Sequence, residues 1–126
     1  MRSEKATEKA TEKATEKNLP TGNTTMLVLK LLETQDMYGY QIIDTLATRS
    51  QNIFQLKTGT LYPLLHGLEK DGMVTSYDQQ ADNQRVRKYY QLTKQGHTLL
   101  AKKQQEWAQY THAVDQVIGG MAYGIA

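Results

Sequence analysis

Four leucines constrain this chain more than any other feature. Leu61, Leu64, Leu65 and Leu68 fall at i, i+3, i+4 and i+7, the spacing that lines one face of an α-helix. Gly72 follows where a left-handed residue would end that helix, so the predicted span is 58–71. Pro63 lies inside it and cannot donate to the carbonyl of Gly59; the missing side chain there leaves room for the ring, and a modest kink is expected rather than a break. Thr58, Thr60, Tyr62 and His66 lie off the leucine face. Residues 73–77 and 86–92 come next, both rich in β-branched and aromatic side chains. The polar stretch between them contains Asp82-Asn83, which predicts a hairpin with a long tip.

Two more helices are expected upstream. Over 24–34, capped by Thr24 or Thr25, the residues Met26, Leu27, Val28, Leu29, Leu31 and Leu32 are apolar almost all round, as in a central core helix. Over 38–49, Ile42, Ile43, Leu46 and Ala47 mark one buried face, with Asp36 as a nearby cap and Gly39 open to close approach by another helix. Residues 53–56 alternate and suggest one small strand. Alternation in the second hairpin strand puts Arg85, Arg87 and Tyr89 on one face, and Val86, Tyr90 and Leu92 on the core face. Thr93 then caps a long helix ending at Ile118 before Gly119-Gly120. Its Leu100, Trp107, Tyr110, Val114 and Val117, spaced 7, 3, 4 and 3, form a heptad seam that calls for a partner helix.

The order helix, helix, helix, hairpin, helix reads as a mainly α fold with a small β wing, a winged helix-turn-helix plus a long C-terminal dimerisation helix. Four regions are expected. Residues 1–20 form a disordered arm, in which Ala-Thr-Glu-Lys occurs three times over 6–17 without an apolar stripe. Residues 21–92 form the winged DNA-binding domain, 93–118 the dimerisation helix and 119–126 a flexible tail. At 126 residues one domain is expected, small enough to gain from pairing with a second copy.

Composition narrows the chemistry. The chain has no cysteine, which removes disulfides, thiolate metal sites and cysteine nucleophiles and fits a reducing, cytoplasmic setting. The longest apolar run, 26–29, falls far short of the ~20 residues a membrane span needs. The serines Ser3, Ser50 and Ser76 show no catalytic motif, and His66, His97 and His112 are too scattered for metal spacing, so no enzyme, cofactor or metal site is expected. The net charge is only +2, but residues 85–105 carry six cations (Arg85, Arg87, Lys88, Lys94, Lys102, Lys103) and no acid. A local basic field on a balanced chain is the footprint of a polyanion-binding face; the plainer alternative is a solvated surface.

Two motifs carry a resemblance. Gly59-Thr-Leu-Tyr-Pro-Leu-Leu-His-Gly-Leu-Glu-Lys-Asp-Gly72 and Arg87-Lys-Tyr-Tyr-Gln-Leu-Thr-Lys-Gln-Gly96 resemble, in order and distance, the two signatures of the PadR family of transcriptional regulators. Met37-Tyr-Gly-Tyr-Gln-Ile-Ile43 is similar to the start of that family's second helix. The resemblance covers about residues 24–118 and departs from the family at Gly67, often Arg there, and at the approach to the second wing strand, Asn83-Gln84-Arg85-Val86. A single helix after the wing resembles the short subclass, which implies a homodimer formed through the first and last helices. It also implies double-stranded operator DNA as partner and repression as the usual outcome. In the multidrug-sensing branch a Trp on the last helix stacks on flat aromatic ligands, and Trp107, eleven residues after Gly96, falls at that place.

The expected roles follow. Thr58, Thr60, Tyr62 and His66 would contact bases and phosphates, and Lys57, Arg85, Arg87 and Lys88 would contact phosphates. Trp107 and Tyr110 would bind a small aromatic effector, with Tyr40 a lesser candidate of the same kind; the plainer role for Trp107 is packing between helices. Leu100, Trp107, Tyr110, Val114 and Val117 would form the dimer interface. The competing reading is a winged-helix protein-interaction module without an effector, against which the basic wing argues.

Overall fold

The computed structural model describes residues 21–81, 83 and 85–119; the repeat arm over 1–20 and the tail beyond Gly119 lie outside the described residues. Helix α1 (Thr21–Thr34) is followed by strand β1 (Met37–Tyr38), helix α2 (Gly39–Arg49), helix α3 (Thr58–Lys70), strands β2 (Val74–Gln80) and β3 (Val86–Leu92), and helix α4 (Lys94–Ile118). The strands form one antiparallel sheet in the order β1-β3-β2. The arrangement is the expected winged helix-turn-helix with a long C-terminal helix.

Apolar patterning explains why the elements pack as they do. Val28 and Leu29 of α1, Ile42 of α2, Leu61 and Leu65 of α3 and Leu100 of α4 are all essentially inaccessible and form one core. Each such side chain stabilises the fold by roughly 1.5–3 kcal/mol relative to exposure. α1 touches α2, β3 and α4, as expected of a helix that is apolar almost all round. It starts at Thr21, so Thr24 is not a cap: it is a buried residue within the helix.

Helix α3 runs unbroken through Pro63. It ends in a Schellman arrangement: Gly72 adopts φ +80°, its N–H donates to the Glu69 carbonyl, and the Met73 N–H donates to the Leu68 carbonyl. Thr93 caps α4 as expected, its Oγ1 accepting from the Gly96 N–H at 3.0 Å. That hydroxyl also lies 2.7 Å from the Gly72 carbonyl oxygen, to which it donates, tying the end of α3 to the start of α4.

The structure corrects several further expectations. Residues 53–56 form no strand. Gln51 and Asn52 turn through left-handed φ (52° and 66°), and the Phe54 N–H donates to the Ser50 hydroxyl at 3.0 Å, so this backbone closes onto the end of α2 instead of a sheet edge. The third strand is Met37–Tyr38, which also makes Tyr38 rather than Asp36 the N-cap residue of α2. Val86 is exposed, because it pairs with Gln80 near the hairpin tip, out of reach of the core. β2 also extends to Gln80, and the Ala81 N–H donates to the Arg85 carbonyl, so the tip is shorter than the sequence suggests.

A last correction concerns Leu100. It is 1 % exposed and belongs to the protomer's own core, so it is not part of an outward seam. A leucine at a heptad position is indistinguishable by spacing from one that packs inward, and α1 claims this one.

Candidate nucleic-acid interface

The leucine face of α3 turns inward, which leaves Lys57, Thr58, Gly59, Pro63, His66 and Gly67 exposed on the other side. Gly59, Pro63 and Gly67 recur every four residues, so the outer face of this helix carries little side-chain bulk. Thr60 and Tyr62 are half-buried at its margin. Tyr62 leans on α2: its ring and hydroxyl occupy the space that a Cβ at Gly39 would need. A side chain at position 39 would have to displace the tip of that ring, so glycine there keeps Tyr62 seated against the start of α2.

The wing meets the helix pair at a cleft of about 550 Å³. It is lined by Arg85 and the start of β3, with Val86, Arg87 and Lys88, by Tyr38 and the first turn of α2, with Gly39 and Tyr40, and by Tyr62 and His66 of α3. Tyr90 is buried beneath, and burial, with Glu69 and Tyr62 nearby, pushes its phenol above the ordinary tyrosine value, so it is a neutral floor. Three cations and the positive end of a helix therefore face one recess, an arrangement suited to an anionic backbone. Ser76 donates to Glu69 at 2.7 Å, which engages the acid nearest the floor within the fold.

Arg87 is the best-held cation of the three. Its guanidinium carbon lies 4.3 Å from the ring centroid of Tyr38, a cation–π contact. Tyr38 meets Tyr89 edge to face at 5.4 Å, and Tyr89 stacks on Tyr77 at 5.8 Å. Alternation along the strand correctly groups Arg87 with Tyr89. Sequence reading did not find Tyr38 as a partner, because that residue reads as the start of a helix; its only signal is the cluster of aromatics around Gly39.

The second candidate region lies on α4, none of whose residues lines this cleft. Trp107 and Tyr110 stack at 5.8 Å on an outward face of α4, with Trp107 41 %, Tyr110 62 % and Val117 84 % exposed and Val114 half-buried. The expected effector and seam residues other than Leu100 thus share a surface within the protomer. Among the described residues no group of three or more His, Asp or Glu could hold a metal ion, and no helix is long and apolar enough to cross a membrane.

Residues 28–102 match the profile of the Transcriptional regulator PadR-like family. The chain belongs to this family. It is 32 % identical over 100 residues to an uncharacterised protein X of Lysinibacillus sphaericus, covering 79 % of this chain and 92 % of that one. Among solved structures it is similar to a PadR family transcription regulator from Clostridium difficile R20291, with 34 % identity, a TM-score of 0.64, and 75 % of this chain and 96 % of the other covered. It is also similar to a PadR family transcriptional regulator from Eggerthella lenta DSM 2243, with 30 % identity, a TM-score of 0.68, and 77 % and 82 % covered. The chain is thus a PadR-like transcriptional regulator, and its cleft between α3 and the wing is lined by Arg85, Arg87 and Lys88.

Proposed function

We propose that this PadR-like regulator is a cytoplasmic homodimeric repressor that binds double-stranded operator DNA and is released by a small aromatic effector. The outer face of α3 enters the major groove, where Thr58, Thr60, Tyr62 and His66 reach bases and nearby phosphates. Lys57, Arg85, Arg87 and Lys88 meet the flanking phosphates. The observation that carries this reading is the convergence of Arg85, Arg87 and Lys88 on the recess beside α3.

Dimerisation uses the outward face of α4, with Trp107, Tyr110, Val114 and Val117 against a second copy. Exposed aromatic and β-branched side chains on one stripe of a 25-residue helix support this, since such a stripe gains most when covered. Trp107 and Tyr110 supply flat surfaces for an aromatic effector between the two helices. A ligand there changes the spacing of the two α3 helices, and with it the fit to half-sites about one helical turn apart.

Fluorescence anisotropy of a labelled fragment from upstream of the protein's own gene, titrated at several salt concentrations, tests the DNA reading. Expected are preference over scrambled DNA, two chains per site, and a steep salt slope of about 0.9 log units per phosphate neutralised. Salt-independent binding, or equal affinity for scrambled DNA at this and other promoters, would overturn sequence-specific regulation through this surface. Release by planar aromatic compounds, read by quenching of the single tryptophan, tests the effector part.

A further inference from the structure

On the outer face of the sheet, Tyr38, Tyr89 and Tyr77 stand directly opposite one another across all three strands (Tyr38↔Tyr89 and Tyr77↔Tyr89). The inner row one step away, Met37, Tyr90 and Ser76, faces the core. The outer row is closed at both ends. Arg87 lies over the Tyr38 ring at one end, and at the other the Tyr77 hydroxyl donates to Asp36 Oδ2 at 2.6 Å. Asp36 immediately precedes β1, so the bond returns from β2 across β3 to the backbone that leads into α2.

This row matters because β1 is only two residues long. Two residue pairs are a short join between the wing and the start of α2, and cross-strand side-chain pairs on the outer face add to the core packing of Met37 and Tyr90 in fixing it. The geometry points to Asp36, Tyr77, Tyr89 and Tyr38 as a clamp that holds the wing against α2 and keeps the Arg87 guanidinium seated on the Tyr38 ring, where both residues line the cleft. Asp36 and Tyr77 are thus positioning residues, acting through Arg87 rather than by touching a ligand. An arginine held in advance loses less freedom when it meets a phosphate, which favours binding. The phosphate contact itself rests on the DNA reading above; the clamp does not.

Tyr77→Phe is the informative change, since it keeps the ring stack and the net charge and removes only the hydroxyl. The first arm needs no DNA: NMR of the arginine side chains in the full chain, with the Arg87 signal assigned by its loss in Arg87→Ala. In the unaltered protein the Arg87 side-chain protons are shifted by the Tyr38 ring current. Tyr77→Phe moves them toward the free-arginine position, and Asp36→Asn, which retains an acceptor, leaves them close to where they were. An unmoved Arg87 signal in both Tyr77→Phe and Asp36→Ala would overturn the clamp.

The second arm is a double-mutant cycle on operator affinity. Tyr77→Phe is expected to weaken binding about threefold to tenfold with Arg87 present, and to have little effect in the Arg87→Ala background. Equal losses in both backgrounds would mean that Tyr77 serves wing stability alone, and would overturn positioning through Arg87. Failure of the unaltered protein to bind DNA at any salt would sink the DNA reading instead, with the NMR arm still deciding the clamp.

Discussion

The two halves of α4 make opposite use of one continuous helix. In the first turns Gly96 and Leu100 are buried against the winged domain, and His97 Nδ1 sits 3.8 Å from Glu33 of α1. In the last turns Tyr110, Val117 and Ile118 are each more than half exposed, and the prominent side-chain contact is the stack of Trp107 on Tyr110. Twenty-five residues span about 37 Å at 1.5 Å per residue, more than this small domain can cover. The proximal half is part of the protomer's core; the distal half carries apolar surface that the protomer itself leaves open.

The contrast can be broken from either side. Leu100→Ala should produce the largest loss of stability, about 2–5 kcal/mol in denaturant unfolding, because it opens a cavity between α4 and α1. A loss below 1 kcal/mol would mean that the proximal half is not integral to the core. Val117→Asp should leave that unfolding free energy of the isolated protomer nearly unchanged, while sedimentation shifts from two chains to one. Operator affinity should then fall by about 10²-fold or more, as two linked half-site contacts become one. An unchanged dimer would place the second copy on another face.

Smaller effects sharpen the picture at the winged end. Arg87→Ala should weaken operator binding about tenfold and lower the salt slope by about 1, uniformly across sequences. An unchanged slope would remove Arg87 from the phosphate contacts. Titrating tyrosinate absorbance should show two phenols ionising late, the buried Tyr90 and Tyr77, because the hydrogen bond to the Asp36 carboxylate holds the Tyr77 phenol above its ordinary value. The folded state therefore keeps that proton more tightly. Its stabilisation is present below the unfolded tyrosine pKa and is lost as pH rises through the folded one; Tyr77→Phe should abolish this loss.

The smallest effect is at Glu33, whose carboxyl the Lys30 hydrogen bond, with the nearby His97, holds below the ordinary glutamate value. Its contribution is present above the unfolded glutamate pKa and lost as pH falls through the folded one. Thermal melts of Glu33→Gln and the unaltered chain should thus converge in acid. Both partners are exposed, so salt should narrow the difference.

Leucine spacing, the Gly72 stop, the Thr93 cap and the alternation of Arg87 with Tyr89 were legible in the sequence, because each is a local consequence of helix or strand period and of capping chemistry. These features suffice for the order of the four helices and the hairpin and for the basic wing. The sequence did not reveal that Leu100 turns inward while Val117 stays out, since both obey the same heptad and only the position of α1 separates them. Nor could it show β1: two residues carry no period, and Met37 and Tyr38 become a strand only because β3 offers them its edge. Tertiary structure likewise decided that Asp36 binds Tyr77, 41 residues away, rather than capping α2, because a carboxylate takes the donor that folding brings nearest.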